Sequence, residues 1–175
     1  DAVLLNDKVA VVLRTADGSM VMHSRKEGLF ARWAQLLPQA LVPGAASVAV
    51  KENSRGAVAV EAALKTQDGH GASFIVRIAA GEPLAELRAG EGASGLTVTA
   101  DAGRIVVPEF FGDDMVFATE ASGTNSIGLP AEKFFLGLVG KGDAIVMCLW
   151  RSAERNADLI PLGQRDAHER GGRLE

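Results

Sequence analysis

The chain has 175 residues, 47% hydrophobic and 23% charged, with a formal net charge of −4 and one cysteine. That composition excludes intrinsic disorder, the acidic total without any Lys or Arg block speaks against a nucleic-acid partner, and no run approaches the roughly 18 apolar residues of a membrane span. Cys148, being alone, cannot form an internal disulfide.

The length suits one core, so a single soluble domain is expected over residues 1–162, followed by a polar tail at 163–175 where no apolar period survives. The chain opens at Asp1 without a signal-like stretch, which reads as a processed or excised piece; the compartment stays open, with a secreted or periplasmic setting favoured.

From Lys8 to Arg25, the runs KVAVVLR and SMVMHSR flank Thr15-Ala16-Asp17-Gly18. Asp-Gly between alternating runs predicts a hairpin. A two-residue turn at Asp17-Gly18 would set Leu13 opposite Met22 and Val11 opposite Ser24. Arg14, His23 and Arg25 then share the other face, a candidate anion-recognising surface. Gly28 to Pro38 fits both helical and strand spacing, and the prolines at 38 and 43 favour a strand or a single helical turn. Around the Asn53-Ser54-Arg55-Gly56 turn, Val48 and Val50 on one side and Val58, Val60, Ala62 and Leu64 on the other alternate with smaller or polar residues, as in an antiparallel pair with one drier face. In SFIVRIA, residues 73–79, Phe74, Val76 and Ile78 make one face and Arg77 lies on the other. Short strands are predicted near 84–88, 96–99, 104–108, 115–119 and 159–162.

The most apolar stretch, KFFLGLVGKGDAIVMCLWR at 133–151, reads as a central hairpin turning at Lys141-Gly142. Its pairs are Leu138 with Ile145, Leu136 with Met147 and Phe134 with Leu149 on one side. Val139 with Ala144, Gly137 with Val146, Phe135 with Cys148 and Lys133 with Trp150 occupy the other. Both sides are largely apolar, which belongs to a buried pair, and Leu136, Leu138, Ile145, Met147 and Leu149 are expected in the core. About eleven short strands, spaced at roughly 8–12 residues with no helix, predict an all-β antiparallel β-sandwich.

Two places suit a ligand. In the loop Glu109-Phe110-Phe111-Gly112-Asp113-Asp114, two aromatics adjoin three carboxylates, a possible stacking face beside hydroxyl-accepting oxygens. On the small-residue face of the central hairpin, Phe135 and Trp150 supply aromatic area, and Lys133 and Arg151 supply polar groups. The histidines at 23, 70 and 168 have no metal-ligand spacing to one another or to Cys148, so no metal and no cofactor is expected. The leading expectation is a non-catalytic carbohydrate-binding or accessory domain of a larger extracellular protein, with a glycan as partner. One alternative is an assembly domain that buries an apolar sheet face in a homo-oligomer or against a neighbouring domain. The other is a carbohydrate-active enzyme using Glu109 with Asp113 or Asp114.

Overall fold

A computed structural model describes residues 1–39, 46–66, 68–93, 95–108, 112–118, 127–128, 134–139, 144–149, 158–161 and 172–174. Among them every regular element is a β-strand, in three antiparallel sheets. This is the all-β, sandwich-like class that the spacing of turns predicts. The chain falls into two compact units, Asp1–Thr97 and Val98–Glu175.

The first unit opens with a meander of β1 (Ala2–Leu5), β2 (Val9–Leu13), β3 (Met20–Lys26) and β4 (Leu29–Pro38). A second meander follows in β5 (Ser47–Asn53), β6 (Ala57–Lys65), β7 (Gly71–Ala79) and β8 (Ala85–Ala89). Register places Leu4, Val11, Met22 and Ala34 in one row and Leu13, Met20 and Leu36 in the next; all but the half-buried Met22 are buried. On the second meander Val60 faces Val76, Ala62 faces Phe74 and Leu64 faces Ala72, again buried. As the alternation predicts, Phe74, Val76 and Ile78 share the buried side and Arg77 takes the other.

The β2–β3 hairpin forms, but its turn is longer than two residues. Arg14 N donates to Ser19 O at 2.8 Å, which leaves Thr15–Gly18 as a four-residue loop, and the pairs become Leu13 with Met20 and Val11 with Met22. Asp17 causes the lengthening: its Oδ1 accepts the Ser19 N–H at 2.9 Å, and Gly18 supplies a φ of 70°. The register moves by two residues, so partners change while faces are kept. The ambiguous stretch after it is a strand throughout, β4. Glu27 and Gly28, at φ 53° and 85°, make a two-residue turn of the kind hairpins favour. The apparent helical spacing there includes Trp33, which is the extra residue of a β-bulge opposite Met22 and His23.

Asn6 ties the two meanders together. Its Oδ1 accepts the N–H groups of Lys8 and Val9 at 2.8 and 2.7 Å, while Nδ2 donates to Ala79 O at 2.6 Å and Glu82 O at 2.9 Å.

Strand β9 (Leu96–Ala100) crosses the division between the units. The second unit adds β10 (Ala102–Val107), β11 (Met115–Ala118), β12 (Ile127–Gly128), β13 (Phe134–Val139), β14 (Ala144–Leu149), β15 (Asp158–Pro161) and β16 (Gly172–Leu174). One sheet runs β11-β10-β13-β14, and β9, β16, β15 and β12 are neighbours in another. Strand β16 lies within the stretch whose polarity marks it as tail; its backbone pairs with β15 and β9.

The β13–β14 register matches the sequence reading at all six described pairs, Phe134 with Leu149 through Val139 with Ala144. The choice of core face does not. Ile145, Met147 and Leu149 are 60%, 57% and 65% exposed, whereas Phe135, Gly137 and Val139 are buried together with Ile105 and Val107 of β10. The inward side is closely covered, and a Cβ at Gly137 would sit 3.5 Å from Ala102 Cβ and Ile105 Cδ1, an ordinary packing distance. The charge of Arg104, which shares a side with Leu138 and Ile145, turns that side outward.

Candidate functional site

The sequence-predicted site residues separate. Glu109, Phe110, Phe111, Lys133, Trp150 and Arg151 lie outside the described residues, and Asp113 and Asp114 are exposed. Phe135 is 3% exposed, on the inward side of β13, so its ring presents no open face to a ligand. Opposite it stands half-buried Cys148, whose thiol burial pushes up to about 12. A thiol held protonated in this way is a poor nucleophile and a poor metal ligand. Among the described residues no three His, Cys, Asp or Glu side chains come together in a metal-holding group, and no helix is long and apolar enough to cross a membrane.

Two surfaces stand out instead. The first is the outward side of the β11-β10-β13-β14 sheet. Directly opposed residues share a side, so register builds continuous rows: Val116, Val106, Leu136 and Met147 in one, Ala118, Arg104, Leu138 and Ile145 in the next, with Phe134 and Leu149 beyond. Val106, Phe134, Leu136 and Leu138 are half-buried, and Val116, Ile145, Met147 and Leu149 are largely exposed. Arg104 is the only charge in these rows.

The second is the distal part of the β3–β4 hairpin. From Arg25 to Arg32 all eight residues are exposed, including Leu29 at 76% and Phe30 at 40%. Arg25 faces Phe30, and His23 faces Arg32 on the same side. Of the anion-recognising trio expected from sequence, His23 and Arg25 do share this side; Arg14 lies at the opposite end of the β2–β3 hairpin, where the four-residue loop begins. Phe30 and Arg32 replace it. They are hidden from sequence reading by the helix-like spacing of 28–38, and the signal that would have found them is Glu27-Gly28 between two runs of strand formers. At the foot of the ribbon, His23 Nδ1 and Trp33 Nε1 are enclosed without a hydrogen-bond partner.

A cleft of about 300 Å³ in the first unit is lined by Asn6, Asp7, Asn53, Ser54, Arg55 and Ile78, among others. Its walls are turns fixed by their own bonds. Ser54 Oγ accepts the N–H groups of Gly56 and Ala57 at 3.2 and 3.1 Å, and Ala80 N donates to Gly56 O at 2.8 Å. The perturbed carboxylates lie elsewhere and are structural. The Lys51 ammonium, 2.7 Å away, holds the Glu61 carboxyl below its ordinary value, and the Thr66 hydroxyl does the same for Asp68.

The fold and these surfaces define an all-β antiparallel protein with an outward apolar sheet and a projecting cationic ribbon. Comparison with protein-family models, with curated proteins and with solved structures finds no match.

Proposed function

We propose that the chain is a non-catalytic assembly domain whose β11-β10-β13-β14 sheet packs its outward side against a second copy of the same chain. The observation that supports this reading is the apolar surface itself, four strands wide and, in the described rows, interrupted only by Arg104. Contiguous exposed apolar area of this kind marks interaction surfaces. A twofold-related copy offers the same rows in return, so apolar meets apolar without any further device. Strands about 4.8 Å apart and a rise of about 3.4 Å per residue give roughly 400 Å² in projection per copy, about 800 Å² for the pair, which by itself is short of the roughly 1,000 Å² a specific dimer needs. Edge pairing would extend it. Strand β14 ends its sheet in the order among the described residues, and AIVMCL contains none of the charges or prolines by which natural edges discourage pairing.

Sedimentation velocity across a concentration series tests the reading. A reversible dimer is expected, which Ile145→Lys or Met147→Lys converts to monomer without lowering the monomer's thermal midpoint, because both side chains are already mostly in solvent. A chain that stays monomeric into the high micromolar range ends this reading.

A further inference from the structure

We propose that the outward side of the β3–β4 ribbon, with Lys8 beside it, is a binding site for an anionic oligosaccharide, one whose sugar rings carry carboxylate or sulfate groups. Arg25 faces Phe30 across the ribbon, and on its other flank Arg25 N donates to Lys8 O at 2.8 Å, which puts Lys8, Arg25 and Phe30 in one row. Two residues along, His23 and Arg32 occupy the same side. Neighbours across strands lie about 5 Å apart and those two residues along a strand about 7 Å. The patch is therefore a flat array, with an exposed aromatic ring set among three cations.

Among the described residues no carboxylate pairs with these cations. On the second meander three of the four strand cations are neutralised in place, Lys51 by Glu61 at 2.7 Å, Arg77 by Glu52 at 2.9 Å and Arg88 by Glu86 at 2.9 Å. Among the described residues Lys8 and Arg25 make no side-chain bond, and Arg32 donates only to the neutral Gln35 Oε1, at 2.8 Å. Guanidinium groups bind carboxylate or sulfate through paired N–H donors, and an open phenyl face takes the apolar face of a sugar ring. The two together call for a ligand that is at once ringed and anionic. A bilayer fits less well, because the ribbon's apex carries the Glu27 carboxylate. Duplex nucleic acid needs a broader basic footprint than this chain, at net −4, provides.

Isothermal titration of the full chain tests the proposal, with a sulfated hexasaccharide, a polyuronate hexasaccharide and an uncharged hexasaccharide as probes. Binding of at least one anionic probe is expected, weakening as salt rises, and the uncharged probe should bind at least about tenfold more weakly. The double change Arg25→Gln with Arg32→Gln should weaken binding about tenfold or more, and Phe30→Ala severalfold. Arg55→Gln, an exposed cation in the β5–β6 turn, should leave it unaltered. All four side chains are exposed, so thermal midpoints within a degree or so of wild type are expected and exclude unfolding as the cause. Absence of binding to both anionic probes, undiminished binding by the double variant, or equal affinity for duplex DNA or anionic vesicles overturns the proposal. The β14 surface takes no part in it, so a monomeric chain leaves this test intact.

Discussion

Gly18 and Gly28 both adopt left-handed backbone, at φ 70° and 85°, but only Gly18 is also hemmed in: a Cβ there would run into the Leu64 side chain, whereas at Gly28 it would meet nothing within 4 Å. The pair separates backbone strain from steric conflict. Gly28→Ala should cost about 1–2 kcal/mol, the left-handed penalty alone, and Gly18→Ala visibly more, up to about 3 kcal/mol, as Leu64 is displaced. Urea denaturation midpoints check the order, and equal losses would mean that Leu64 moves aside freely. Cys148 makes a second prediction at this scale. With its thiol pushed up to about 12 by burial, native protein at pH 8 should react with iodoacetamide far more slowly than urea-unfolded protein, in which the thiol returns to its ordinary value of about 8.5. Comparable rates would place the sulfur in solvent.

Between strands, the two sides of β13–β14 predict opposite outcomes for similar substitutions. Ile105→Ala, on the buried side, should lose about 2–5 kcal/mol, while Ile145→Ala, 60% exposed, should change the monomer's stability by less than about 1 kcal/mol. The sequence makes this hairpin's pairing legible because a turn cluster fixes register directly. It leaves the inward side illegible, since apolar residues on both sides give period-2 alternation nothing to choose between; the deciding charge, Arg104, sits on a different strand that joins only through the topology. The same limit applies to the β2–β3 turn, where Asp17 lengthens the loop through a side-chain bond that residue types alone do not reveal. On the cationic side, His23 and Arg25 are legible in the sequence as neighbours on one strand face, whereas Phe30 and Arg32 are not, because they arrive on a strand whose spacing also fits a helix. On β5 and β6 the Lys51–Glu61 pair carries a pH dependence. The folded-state carboxyl lies below its ordinary 4.5 because of the Lys51 bond, so the contribution is complete above that pH and is lost as pH falls through the folded value. Wild type should melt above Glu61→Gln at pH 7, with the gap closing below pH 4.5 in thermal scans. A gap constant with pH would assign the effect to packing.

At the scale of whole units, Asp1–Thr97 holds two complete meanders with their own buried rows and the Asn6 bonds between them. Residues 1–97 expressed alone should therefore unfold in a single cooperative transition, observed by near-UV circular dichroism; a gradual, non-cooperative melt would show that this core needs the remainder of the chain. The Asn6 bonds also imply an order of events. Within each of the two meanders every strand pairing joins sequence neighbours, whereas Asn6 reaches Ala79 and Glu82 across 73 and 76 residues. Local hairpins close quickly, and a contact spanning so much chain comes late. Asn6 should then act as a latch fastened after the barrier has been crossed: its loss would leave the refolding rate almost unchanged and appear as faster unfolding.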